Sequence, residues 1–140
     1  FGKARIDLSA NDEAIENGNS MVVITYGMGV YWANNAAKKF EGQIEVLDLR
    51  TLFPLDEEQI FDSVKKHAKC LVVTEEPVNN TFAQSIAARI QENCFEWLDA
   101  PVKTVGSENL PAIPLNSILE QTMIPSIEKV EQAIKQVLDY

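Results

Sequence analysis

Apolar positions along the chain follow two alternating patterns, short unbroken runs and longer stretches at helical spacing. Met21–Tyr26 (MVVITY) is a continuous apolar, β-branched run, the mark of a strand covered on both faces. Gly27-Met28-Gly29 breaks it. Val30–Phe40 then carries Val30, Ala33, Ala37 and Phe40 at helical spacing, and Gly42 stops that helix. Ile44–Leu49 (IEVLDL) reads as a second strand. After Pro54, Asp56 is a good N-cap for a helix over Asp56–His67 with Ile60, Phe61 and Val64 inward. Cys70–Thr74 (CLVVT) is a third strand. A loop through Pro77, Asn79 and Asn80 leads to Thr81, a second N-cap, and to a helix over Phe82–Asn93 with Ala83, Ile86, Ala87 and Ile90 inward. Val102–Val105 follows Pro101 as a fourth strand. Gly106–Pro114 is a loop, Leu115–Met123 a short helix closed by Pro125, and Ser126 caps a last helix with Ile127, Val130, Ile134, Val137 and Leu138 on one face.

Strands that alternate with helices require long crossovers, hence parallel neighbours. The predicted fold is α/β, a three-layer domain with a mostly parallel central sheet and helices on both faces. Residues 1–20 form a lead-in segment, with an edge strand within 4–9 and a polar loop over 10–20. Residues 21–140 form one domain. Phe1-Gly2-Lys3 has no initiator Met, which leads to the expectation that the chain was cut from something longer.

Composition narrows the function. The 140 residues carry 12 Lys+Arg against 21 Asp+Glu, a net charge of -9, which argues against binding nucleic acid through its phosphates. Such a surface suits a basic protein partner, but charge alone favours the plainer reading of solubility. The apolar runs are too short to span a bilayer, and no signal peptide is visible. Cys70 and Cys94 lack metal-ligand spacing and read as buried free thiols of a reducing, cytoplasmic compartment.

Candidate chemistry is sparse. Gly27-Met28-Gly29 joins a strand to a helix, an arrangement in which a helix N-terminus favours an anion. Trp32 occupies the place of a third fingerprint glycine, so a tight turn is the plainer reading. Asp48 ends the second strand where a ribose-binding acid can lie. Arg50 can clamp a carboxylate or phosphate, or pair with an acid across a subunit boundary. Glu75 and Glu76 follow the third strand, pointing to opposite sides. His67, the single histidine, reads as an exposed residue at a helix end. No serine or cysteine motif accompanies it, and no acidic-glycine segment ending in paired asparagines marks a metal-diphosphate site.

Longer motifs carry a family likeness. Gly2-Lys3-Ala4, the run into Thr25-Tyr26-Gly27, and above all Asp48-Leu49-Arg50-Thr51-Leu52-Phe53-Pro54-Leu55-Asp56 resemble the C-terminal domain of 2-oxo-acid dehydrogenase beta subunits. Val72–Glu76, Ile86–Ile90, Leu98–Val102, Leu119-Glu120 and Ile124-Pro125 follow in the family's order. Thr74 stands where many members have His, and Pro111–Leu115 departs from their Phe-Ala ending; both fit a variant with alpha and beta parts fused.

The resemblance implies a transketolase C-terminal-domain-like fold in an enzyme of the 2-oxoisovalerate or pyruvate type. That enzyme decarboxylates a 2-oxo acid on thiamine diphosphate with magnesium and acylates a lipoyl group. The cofactor would sit between the alpha part and the N-terminal beta domain, leaving this chain without a cofactor or catalytic site. The implied role is assembly and docking. Asp48, Arg50, Leu52 and Phe53 would meet other parts of the enzyme, including a second beta domain across the dimer. Glu131, Asp139 and Tyr140 at the C-terminus would receive the basic subunit-binding domain of the lipoyl transacylase. Two other readings stay open: a free-standing nucleotide- or anion-binding module using Gly27–Val30, and a small enzyme using Glu75, Glu76 and His67.

Overall fold

The computed structural model describes residues 1–108 and 125–140. Five strands form one sheet: β1 (Arg5–Leu8), β2 (Met21–Thr25), β3 (Ile44–Asp48), β4 (Cys70–Pro77) and β5 (Lys103–Ser107). Their order is β1-β3-β2-β4-β5. Among the described residues only β1 runs antiparallel, pairing Arg5 with Asp48 and Ile6 with Leu47. The helices are α1 (Asp12–Glu16), α2 (Met28–Ala36), α3 (Glu57–His67), α4 (Phe82–Cys94) and α5 (Ile127–Leu138).

The order explains the layers. From β2 the chain steps to β3 on one side, then returns past β2 to β4 and on to β5. Right-handed crossovers taken in opposite directions put their helices on opposite faces. Accordingly, Met21, Val23, Ile44, Val46, Leu71 and Val73 pack on the face with Trp32, Ala33, Val130 and Ile134 of α2 and α5. The intervening Val22, Ile24, Leu47 and Val72 pack with Ile60, Val64, Ile86 and Ile90 of α3 and α4. Burial on both faces is what the unbroken apolar runs encode.

Several boundaries differ from expectation, each for a local reason. Residues 10–20 are not loop throughout: Asp12–Glu16 is a short helix with acids in its first turn, where they suit the helix dipole. The helix after Gly27 begins at Met28, and its last turn, Ala37–Phe40, tightens into a 3-10 helix. β4 runs on to Pro77, and β5 extends through Gly106 to Ser107. Gly106 is strand because it passes close to β4: a Cβ there would strike the Glu76 carbonyl oxygen. Thr81 does not cap α4 with its side chain; its hydroxyl donates to the Pro77 carbonyl at 2.5 Å. Asp56 and Ser126 do cap, accepting from Gln59 N and Lys129 N. The helix expected over Leu115–Met123 lies outside the described residues.

Candidate functional site

The strands β2, β3 and β4 end together, and the chain leaves β2 and β4 in opposite directions. That divergence makes the topological switch point, where open α/β sheets form crevices. Gly27 turns the chain there with φ 59, a conformation open to glycine at little cost. No side chain caps α2; Met28 is half-exposed and Gly29 buried. Gly29 has no room for a side chain, because the Thr25 hydroxyl lies where its Cβ would be. The Thr25 hydroxyl is buried and has no hydrogen-bond partner among the described residues.

Beside this turn, Tyr26 forms a network that sequence reasoning missed. Its hydroxyl donates to Glu76 Oε1 at 2.7 Å and lies 2.8 Å from Thr74 Oγ1. Its ring meets Phe82 edge-on, 6.4 Å between centroids. Burial pushes the phenol up to about 12, opposed by the Thr74 bond and helped by the neighbouring Glu76 carboxylate. Glu75 is exposed. The two acids therefore do not converge on one substrate position, as strand alternation predicts.

The β3 end carries the exposed segment. Asp48 Oδ1 accepts from Arg50 N at 3.1 Å, which closes a tight turn and leaves Arg50 at φ 60. Arg50 is exposed and makes no ion pair among the described residues. Leu52 bridges to Leu55, and Phe53 projects at their tip, 94% exposed. Behind it lies a groove of about 390 Å³ lined by Leu52, Pro54, Leu55, Phe82, Glu57 and Arg89, the last two ion-paired.

At the other end of the molecule, Tyr140 is 72% exposed. With Asp139, Gln136, Val137, Pro101, Val102 and Lys103 it lines a groove of about 550 Å³. Asp139 pairs with Lys135 at 2.9 Å. Glu131 does not join them. It pairs with Lys39 at 2.9 Å with its side chain mostly covered, and eight helical residues put it about 12 Å back along α5.

His67 also departs from expectation. It is buried, not exposed, because Glu45 and Ser20 reach its two ring nitrogens. The sequence held one signal of this, a glutamate flanked by Ile44 and Val46 near the start of the IEVLDL strand. Cys70 and Cys94 are buried free thiols. Burial pushes Cys70 up to about 12 and raises Cys94. Among the described residues, no group of three His, Cys, Asp or Glu is placed to hold a metal ion, and no helix is long and apolar enough to cross a membrane.

Comparison with known proteins adds to this geometry. The family model described as "Transketolase, C-terminal domain" matches residues 12–130. The chain is 36% identical to the 2-oxoisovalerate dehydrogenase subunit beta of Bacillus subtilis over 126 residues, covering 88% of the chain and 38% of that subunit. It is 32% identical to the pyruvate dehydrogenase E1 component subunit beta of Rhizobium meliloti over 140 residues, covering 98% of the chain and 28% of that protein. The chain thus spans well under half the length of these relatives. A solved structure described as "Split gene transketolase, inactive beta4 tetramer" superposes over 99% of the chain and 42% of its own, with TM-score 0.73 at 19% identity, a likeness of fold.

Proposed function

The chain belongs to the transketolase C-terminal domain family, and from that premise we propose that it is the C-terminal assembly and docking domain of the beta part of a 2-oxo-acid dehydrogenase. The whole enzyme would oxidatively decarboxylate a 2-oxo acid on thiamine diphosphate with magnesium and pass the acyl group to lipoyl groups. The names of the relatives support this reading. So do two buried free thiols, which suit a reducing cytoplasm.

Within that enzyme the chain's own residues work by contact. Thiamine diphosphate and magnesium would be held by other parts of the enzyme, and this chain would act through its contacts. The observation that supports the assembly role is the Asp48–Leu55 segment, with Arg50 and Phe53 both exposed. A free domain gains nothing from an aromatic ring left in water, whereas an interface gains from both groups. Partners there are the alpha and N-terminal beta parts and a second beta domain. The C-terminal groove with Asp139 and Tyr140 is the proposed seat of the basic subunit-binding domain of the transacylase.

The test is Arg50→Ala and Phe53→Ala in the full enzyme. Subunit association, measured by sedimentation, is expected to weaken at least tenfold, on the order of 1.4 kcal/mol, with thiamine diphosphate affinity unchanged. Intact assembly with lost cofactor binding would reject the assignment. A nucleotide- or anion-binding module at Gly27 is the competing reading, favoured by its place at the switch point. Tight binding of a nucleotide in a calorimetric titration would establish it instead.

A further inference from the structure

Where the strands begin, opposite Gly27 and Arg50, polar side chains meet inside the protein. Glu45 is fully buried in β3, on the face covered by α3. Its Oε1 accepts from Ser63 Oγ at 2.5 Å. Its Oε2 accepts from Lys66 Nζ at 3.1 Å and faces His67 Nε2 at 3.0 Å. The other ring nitrogen, Nδ1, lies 2.7 Å from Oγ of Ser20, the residue that leads into β2. Gln59 Nε2 donates to Ser63 Oγ at 3.1 Å. On β2 the register partner of Glu45 is Val22, and the nearest β1 pair is Leu8 with Val46. The charged groups brought to Glu45 among the described residues are Lys66 and His67, both from α3.

The two titrating partners in this cluster are not equivalent. The Ser20 hydroxyl can rotate, donating to Nδ1 of a neutral ring and accepting from a charged one, so adding a proton to His67 breaks neither of its bonds. Glu45 has no such freedom. Neutralising it takes the counter-charge from the half-exposed Lys66 ammonium and leaves His67 Nε2 facing an uncharged oxygen inside the protein.

We propose that Glu45, His67, Ser63 and Lys66 form an acid-sensitive latch that fastens α3 to the sheet, and that protonating Glu45 releases α3 before the sheet gives way. α3 also packs through Ile60 and Val64, but the opposite face, under α2 and α5, is packed chiefly by apolar contacts, which do not titrate, with one ion pair, Lys39–Glu131, at its edge. Burial works against the Glu45 carboxylate, but the bonds from His67, Ser63 and Lys66 outweigh it and hold it at about 2. A released glutamate takes its proton near about 4.3. The latch is therefore at full strength above that range and is lost as pH falls toward 2.

Hydrogen exchange of the intact chain, corrected for intrinsic rates and compared between about pH 6 and about pH 3, tests this. Peptides from Glu57–His67 are expected to lose protection on the order of tenfold or more in acid, while Met21–Thr25 and Cys70–Val73 keep theirs. Glu45→Gln removes the titration and is expected to flatten the response of α3. Should that variant not fold, Lys66→Met serves, because Lys66 is half-exposed. Taking a cation from Oε2 moves the α3 transition to higher pH. Loss of protection in α3 only together with β2 and β4, or a transition that Lys66→Met leaves in place, would overturn the latch.

Discussion

Gly29 shows how one position couples an element to its neighbour. A Cβ there would collide with the Thr25 hydroxyl and lie 3.3 Å from the Thr25 Cβ and 3.4 Å from the Val73 carbonyl oxygen. Thr25 is fully buried, so its hydroxyl has nowhere to swing. Gly29→Ala is expected to cost about 1–3 kcal/mol in a urea melt, the range of an overpacked core. Adding Thr25→Ala removes the hydroxyl and is expected to return part of the loss, because the 3.3 Å contact between the two Cβ atoms remains tight. A single variant as stable as the parent would show that α2 can shift outward at little cost. His67 and Glu45 teach a related lesson. Each looks ordinary or misplaced when taken alone, and only their pairing makes a buried charge tolerable.

At the scale of elements, α3 depends on what holds its two ends. At its start, Asp56 accepts from Gln59 N at 3.3 Å and from Ala4 N at 2.9 Å. One carboxylate thus caps the helix and ties down the segment that leads into β1. Asp56→Ala is expected to lower stability by about 1–2 kcal/mol, the upper range for a lost cap, and to speed amide exchange in Arg5–Leu8. Asp56→Asn keeps an acceptor oxygen and is expected to retain most of the stability. Unchanged exchange in β1 after Asp56→Ala would mean that the sheet pairing alone holds the edge strand. At its other end, α3 closes with Ala68 in a left-handed conformation and with the Glu45 cluster. The exposed Phe53 segment lies just before this helix, its ends joined by the Leu52–Leu55 bridge.

For the whole molecule, Phe53 and Tyr140, two of several exposed aromatic side chains, lie at opposite ends of the strands, so that under the proposed function one domain would meet two sets of partners. The C-terminal prediction concerns the second. In the full enzyme, removing Asp139 and Tyr140 is expected to weaken binding of the transacylase's subunit-binding domain by about 1–3 kcal/mol, the scale of a charged contact with an apolar neighbour. The loss should shrink as salt is raised, because Asp139 and its partner Lys135 are both exposed. Equal affinity for both forms, measured by calorimetry, would move docking elsewhere on the beta part. Glu131→Gln is expected to have little effect on that binding, since its side chain is mostly covered beside Lys39 and does not line the C-terminal groove.

The alternation of apolar runs and helical spacing determined the α/β class, the parallel strands and the inward faces of α3, α4 and α5, because burial of apolar side chains is written directly into period and composition. The stretch Asp48–Asp56 carried the family likeness for the same reason: its residues are contiguous. Strand order was decided only in three dimensions, since β1 adds beside β3 and β4 beside β2 through pairings that local pattern does not encode. The Tyr26–Thr74–Glu76 network and the Ser20–His67–Glu45 cluster likewise join residues 20 to 50 positions apart. Such polar contacts form where crossovers bring strand ends together, and each side chain's burial depends on a partner that its own neighbours in sequence do not reveal.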